Sequence, residues 1–260
     1  MSKVTTQNPV QFADERIVQS LDDCYFYHTM ELPGFGLIEG EWDLRGKFPD
    51  YTGHVDFNGK SVLDIGCASG FLSFEAEKRG AEVVSFDIGH GGLQHLLPFR
   101  QSLYYQDHPR WAEAQTKFFE RWKNAYWLGH RLLGSRAKAF YGDVYELPVS
   151  LGLFDIVLIG SVLEHLRDPI SALASISRVS GHTLVIVTPM LDTNEPIARL
   201  QASADSPQFD YTWWIYSLGA YKEVLAMLGY RISSVQQGRY RFVKSKEPLQ
   251  RTTIVAVREN

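Results

Sequence analysis

Asp64, Gly66, Gly70 and Asp87 are the residues whose types and spacing first suggest chemistry. The stretch Ser61–Gly70 reads S-V-L-D-I-G-C-A-S-G: a short apolar run holding one acid, then a turn of the small residues Gly66, Cys67, Ala68, Ser69 and Gly70. Residues from Phe71 to Arg79 continue with a helical pattern. A buried strand that breaks into small residues lets backbone approach a ligand closely, and the following helix start offers N–H groups without helical partners. Twenty-one residues beyond Gly66 a second apolar run ends in Asp87, followed by Ile88. An acid at a strand end about 20 residues on is placed to grip the hydroxyls of a nucleoside ribose. The glycine spacing is G-x-x-x-G rather than the G-x-G-x-x-G of dinucleotide sites, and Asp64 at the mouth disfavours a pyrophosphate while suiting a cationic amino-acid group.

At these residues the chain resembles the class I S-adenosylmethionine-dependent methyltransferases, whose first motif, D-x-G-x-x-x-G, matches Asp64, Gly66 and Gly70. Further motifs extend the likeness. Phe140-Tyr141-Gly142-Asp143-Val144 puts an acid just after a third strand, where the resemblance implies that Asp143 and the Val144 backbone meet adenine. Phe154–Ser161 reads as a buried strand opening at the site through Gly160 and Ser161. With Leu163-Glu164-His165 and Pro169 it is similar to the family's F-D-x-V … L-x-H-x-x-x-P signature. Asp155 begins that strand, away from the ligand edge, and reads as structural.

A narrower likeness covers nearly the whole chain. The segment from Tyr25 to Gly34, the Glu41-Trp42-Asp43-Leu44-Arg45 run, N-A-Y-W-x-x-H-R-x-x-G-S at 124–135, G-D-V-Y-x-L-P at 142–148 and T-W-W at 212–214 resemble the tRNA wobble-uridine methyltransferase-like group. Bacterial tRNA enzymes of that group transfer a carboxymethyl unit and hold its carboxylate with the lysine of a W-R-K segment. That lysine position falls on His28 here, and a neutral imidazole replaces a fixed cation poorly. Plain S-adenosylmethionine is therefore the expected cofactor.

Methyl transfer to a hydroxyl needs alignment, exclusion of water and removal of a proton. The candidate catalytic residues are His28 and His165, since an imidazole titrates near neutrality. One would take the proton and the other would position the acceptor. Candidate acceptor contacts are Tyr27, Trp42, Arg45, Glu164, Tyr211, Trp213 and Trp214.

These residues need a scaffold. Strand patterns at 61–65, 82–86, 137–141, 154–159, 183–188, 231–237 and 252–257 alternate with helical patterns at 70–79, 91–104, 110–133, 167–178 and 217–228. Such alternation predicts an α/β fold, a doubly wound, mostly parallel sheet of seven strands covered on both faces. The last two strands, with no helix between them, should form an antiparallel hairpin. Residues 1–60 form an N-terminal lid or substrate segment, and 61–260 the cofactor-binding domain with a helical insertion at about 95–136. In that insertion Trp111, Ala114, Phe118, Trp122, Ala125 and Tyr126 recur at helical steps. The stripe packs on the sheet or the N-terminal segment, covers the substrate, or meets a second subunit.

Composition bounds the rest. The chain has 260 residues, 45% hydrophobic and 22% charged, which suits a globular domain with a core. No apolar run is long enough for a membrane span, and the N-terminus lacks a secretory pattern, so a cytoplasmic location is expected. Cys24 and Cys67 give no disulfide framework, and no metal-ligand cluster is evident. A net charge of −4 argues against a nucleic-acid partner. Two basic stretches, Lys117 to Lys138 and Arg239 to Arg251, are the exceptions to test. The reading is O-methylation of a small molecule or glycan. The alternatives are a tRNA wobble-uridine (carboxy)methyltransferase and a cofactor-binding scaffold without turnover.

Overall fold

The computed structural model describes residues 10–89, 99–204 and 212–259. Along the chain run β1 (Met30–Leu32), β2 (Gly36–Ile38), β3 (Trp42–Asp43), α1 (Phe48–Tyr51), β4 (Ser61–Ile65), α2 (Phe71–Glu77) and β5 (Glu82–Ile88). Then follow α3 (Leu103–Gln106), α4 (His108–Leu133), β6 (Lys138–Gly142), β7 (Phe154–Gly160), α5 (Pro169–Ser177) and β8 (Ser180–Thr188). The chain closes with β9 (Ala198–Leu200), β10 (Trp214–Tyr216), α6 (Leu218–Met227), β11 (Tyr230–Phe242) and β12 (Leu249–Arg258).

The central sheet has the order β3-β11-β12-β8-β7-β4-β5-β6. Strands β8, β7, β4, β5 and β6 run parallel, and β12 pairs antiparallel with both β8 and β11. The expected closing hairpin is therefore present. The expected seven strands become eight, because Trp42 and Asp43 pair with Phe242 and Arg241 at the end of β11. Two residues carry no period-2 pattern, so sequence alone gave no sign of that strand. The small hairpins β1–β2 and β9–β10 were likewise unanticipated. Of the helix expected over 91–104, residues 91–98 lie outside the described residues. Of its remainder, only Leu103 and Tyr104 are helical, opening the short α3. Among the described residues no helix is long and apolar enough to cross a membrane.

Alternate side chains of each parallel strand feed opposite cores. Val62, Leu158 and Val185 join α2, the end of α4 and the N-terminal segment on one face. Leu63, Val157 and Leu184 join α5 and α6 on the other. Adjacent strands β4 and β7 send their crossovers to different sides. Their carboxyl ends form the crevice where open α/β sheets bind ligands.

Helix α4 starts at Asp107, whose side chain accepts from the Arg110 N–H, and stops at Gly134 in the left-handed region (φ 64°). The predicted stripe is only partly buried: Ala114 and Phe118 are exposed, whereas Lys123 and the run Ala125–His130 are buried. The helix packs on the N-terminal segment. Tyr25 and Tyr27 stack on Trp122, Arg121 donates to the Cys24 carbonyl, and Arg131 donates to the Val18 carbonyl.

Candidate active site

The first group of candidates, those expected to hold the cofactor, is built from backbone and acids. Gly66 turns at φ 74° with a Cβ position only 2.4 Å from the Val162 side chain, so a larger residue there strains the turn twice over. Ala68 is held at φ 51° because its N–H donates to Asp87 Oδ2 at 2.7 Å. Asp87 Oδ1 accepts from the Ile88 N–H at 2.7 Å. The acid that ends β5 thus fixes the loop that ends β4. Burial raises the Asp87 pKa, and these two N–H donors oppose the rise.

Asp64 is fully buried. Its Oδ2 accepts from Ser73 Oγ at 2.6 Å, and its Oδ1 has no partner. Burial pushes its pKa up to about 7, with Ser73 lowering it and Asp87 raising it. Cys67 is a buried free thiol, pushed up by burial and then by Asp87 and Asp64. Phe71 and Ser69 are buried below the N-terminal segment: the His28 N–H donates to Ser69 Oγ at 3.1 Å, and the His28 ring lies 5.7 Å from Phe71. Gly40 allows this passage, since a Cβ there would stand 2.3 Å from the His28 carbonyl carbon.

His28 is buried with Nδ1 unpartnered, and burial drives its pKa down to about 3. It is a neutral ring, suited to hydrogen bonding and poorly suited to holding a proton. On the far side, Asp143 is exposed and its Oδ1 accepts from the Tyr145 N–H, capping a short turn that buries Val144. Asp155 accepts from the Ser61 N–H and hydroxyl, pinning β7 to β4 at the end away from the ligand edge.

The second half lies at the ends of β7 and β8 and the start of β12. Gly160 packs on Leu72 and Tyr51, and Ser161 adopts φ 54°. Ser161 Oγ accepts from Arg251 Nε at 3.3 Å and lies 3.5 Å from the Tyr51 hydroxyl. The Arg251 guanidinium sits 4.7 Å above the Trp42 ring. Glu164 is buried, accepts from the Thr188 hydroxyl at 3.4 Å, and passes its carbonyl to the Trp213 N–H. Tyr27 and Tyr51 both have raised pKa values, burial being the main cause and Glu164 a further one. Trp213 Nε1 is buried without a partner, while Trp214 Nε1 donates to the Arg167 carbonyl. His165 lies partly buried in the turn Leu163–His165 beside Glu164.

Most candidates therefore gather in these two groups. Arg45 does not join them: it is exposed and forms a two-pronged pair with Asp43. Tyr211 lies outside the described residues. Sequence reasoning missed Tyr51 and Arg251 as site residues. The antiparallel hairpin itself could have indicated Arg251, because it puts the start of β12 beside the end of β8. It also missed Lys123, a buried ammonium 4.6 Å above the Tyr141 ring whose charge reaches Asp87. Among the described residues no group of three or more His, Cys, Asp or Glu could hold a metal ion.

Comparison with known proteins agrees with this architecture. A magnesium protoporphyrin IX methyltransferase from Synechocystis PCC 6803, solved with bound SAH, superposes with a TM-score of 0.55 at 15% identity, covering 83% of this chain and 82% of that one. A 1,6-didemethyltoxoflavin-N1-methyltransferase from Burkholderia thailandensis gives 0.52 at 18% identity, covering 84% and 78%. Among curated sequences, a tRNA U34 carboxymethyltransferase from Idiomarina loihiensis is 28% identical over 205 residues, 77% of this chain and 55% of that protein. A ubiquinone biosynthesis O-methyltransferase from Pectobacterium carotovorum is 27% identical over 160 residues, 54% of this chain and 53% of that protein. The chain spans about half the length of the curated relatives it matches. A family profile described as a methyltransferase domain matches residues 43–235, from the end of β3 into β11. The chain belongs to the methyltransferase-domain family.

Proposed function

We propose that the protein is an S-adenosylmethionine-dependent methyltransferase that methylates an oxygen of a small-molecule or glycan acceptor. The observation that carries this reading is the pairing of the Asp64–Asp87 frame, with Asp64 Oδ1 buried and unpartnered, with a separate polar mouth around Glu164. An unpartnered buried carboxylate oxygen is costly unless a ligand satisfies it. Asp64 Oδ1 suits the ammonium of the cofactor's amino-acid end, Asp87 its ribose hydroxyls, and the loop Gly66–Gly70 its close backbone approach. When bound, S-adenosylmethionine supplies an electrophilic methyl group on a sulfonium.

The chain's own residues then divide the work. His28, neutral and roofed by the N-terminal segment, donates or accepts one hydrogen bond and keeps water from the β4 end. Tyr27, Trp42 and Trp213 wall the acceptor mouth. His165 takes the acceptor hydroxyl's proton, and Glu164 and Arg251 orient the acceptor's polar groups. Orientation of this kind can supply about 7–11 kcal/mol, and a positioned base typically about 10²–10⁴ in rate.

Two observations favour a small acceptor over tRNA. In the first stretch four basic residues are engaged or paired: Lys117 with Glu113, Arg121 with the Cys24 carbonyl, Lys123 over Tyr141 and Arg131 with the Val18 carbonyl, while Arg136 and Lys138 are exposed. In the second stretch Lys244 pairs with Glu41, and Arg239 donates to the Pro248 carbonyl. In addition, a buried Glu164 and an uncharged His28 at the mouth oppose a cofactor bearing an extra carboxylate. Incubation with methyl-labelled S-adenosylmethionine and fractionated cell extract tests the reading. Label should enter the small-molecule or glycan fraction; label confined to RNA contradicts it.

A further inference from the structure

A line of buried hydroxyls crosses the molecule from the helical insertion to the first strand of the cofactor frame. Tyr126 Oη on α4 donates to Ser85 Oγ on β5 at 3.0 Å. Ser85 Oγ donates to Ser73 Oγ on α2 at 2.7 Å, and Ser73 Oγ donates to Asp64 Oδ2 on β4 at 2.6 Å. All four residues are at most 1% exposed. A hydroxyl has one proton to give, so each serine can donate toward Asp64 while its own lone pair is met from the Tyr126 side. Donors aligned in one sense polarise one another and end on the carboxylate, where they favour its ionised form. The opposite oxygen of Asp64 has no partner in the protein.

We propose that Tyr126 is a positioning residue for cofactor binding: acting through Ser85 and Ser73, it occupies one oxygen of Asp64 and leaves the other presented to the ligand's ammonium. The inference rests on the cofactor reading above and adds to it a role for the insertion, which the bare sheet does not need. The ring of Tyr126 also lies under the turn, since a Cβ on Gly70 would stand 2.9 Å from it. The hydroxyl line is thus a second tie between α4 and the same loop. The titratable groups whose charge reaches Asp64 are Asp87 from the end of β5, Cys67 from the turn and Tyr126 from α4. Cys67 and Tyr126 both have pKa values pushed up by burial and stay neutral near pH 7. Burial pushes Asp64 up to about 7 and raises Asp87 as well, and of these two acids Asp64 is the one the hydroxyl line reaches.

The test is titration with S-adenosylhomocysteine from pH 5.5 to 8.5, with thermal melting as a check on folding. The wild-type chain should bind more weakly as pH falls through about 7. Tyr126→Phe keeps the ring and removes only the hydroxyl. It should weaken binding about three- to tenfold at pH 7 and move the midpoint of the pH profile upward. Ser85→Ala should do the same, and the double variant should be no worse than the more affected single one, because both break one line. If Tyr126→Phe fails to fold, Ser73→Ala carries the test, since it removes the donor to Asp64 directly. A folded variant with wild-type affinity and an unmoved midpoint overturns the proposal, whatever happens to its melting temperature. A wild-type chain that binds no S-adenosylhomocysteine at any pH overturns instead the cofactor reading on which it rests.

Discussion

The two halves of the site are made in different ways. The proposed cofactor half is local: β4, its turn and the end of β5 lie within 28 residues, and backbone N–H groups tie the loop to Asp87. The proposed acceptor half is assembled from Tyr27, Trp42, Tyr51, Ser161, Glu164, Trp213 and Arg251, which meet only when the N-terminal segment, β7, the β9–β10 hairpin and β12 come together. The difference teaches where each property resides. A frame of backbone and two acids serves one invariant ligand shape. A wall of side chains from distant segments can be changed residue by residue, which is how one fold takes different acceptors.

The largest effect should separate the halves by rate. His165→Ala should slow single-turnover methyl transfer by about 10²–10⁴-fold while leaving S-adenosylhomocysteine affinity nearly intact. His28→Ala should also leave affinity nearly intact and slow the reaction less, because a ring pushed down to about 3 holds no proton at neutral pH. If His28→Ala proves the slower variant, the two roles are reversed.

Stability should separate the cofactor frame from the exposed surface next. Gly66→Ala places a Cβ 2.4 Å from the Val162 side chain at a φ of 74°, which should cost about 1–3 kcal/mol in urea unfolding. Arg45→Ala, at an exposed position outside both halves, should cost under about 1 kcal/mol, since it loses only a surface pair.

A third contrast concerns pH. Asp64 is raised from 3.8 to about 7 on folding, so its contribution to stability is full below about pH 4 and is lost as pH rises through about 7. His28 is lowered from 6.5 to about 3, so its contribution is full above about pH 6.5 and is lost as pH falls through about 3. Between pH 4 and 6.5 the two slopes oppose each other in the ligand-free chain. Asp64→Asn should make stability climb more steeply with pH over that window, and His28→Gln should make it fall; melting curves across the window measure both.

The smallest effect is an expected near-absence. With Arg121, Lys123, Arg131 and Arg251 each engaged by groups of the fold, tRNA should bind no tighter than about 100 μM at physiological salt. Micromolar, salt-sensitive binding by anisotropy would shift the acceptor reading to RNA.

Legibility in the sequence followed the same division. Strands β4, β7, β8 and β12 were readable because burial on both faces leaves apolar runs, and β4 with its turn carries a local motif. The two-residue β3 has no pattern of its own and forms only because β11 is long enough to receive it. Ser73, Ser85 and Tyr126 looked like ordinary core and helix residues, since a hydroxyl line appears only when three elements pack. Arg251 read as part of a solvated basic stretch, and its place over Trp42 depends on β12 starting at the ligand edge.

The most direct test of the two-part site is isothermal titration of S-adenosylhomocysteine into three proteins side by side. The wild-type chain should bind, and Asp87→Ala should weaken binding at least tenfold, because charge-assisted hydrogen bonds are worth about 1.5–3 kcal/mol each. Glu164→Ala should bind as the wild type does, since it belongs to the acceptor half. Unchanged affinity in Asp87→Ala, or a loss in Glu164→Ala equal to that in Asp87→Ala, would contradict the division on which the account stands.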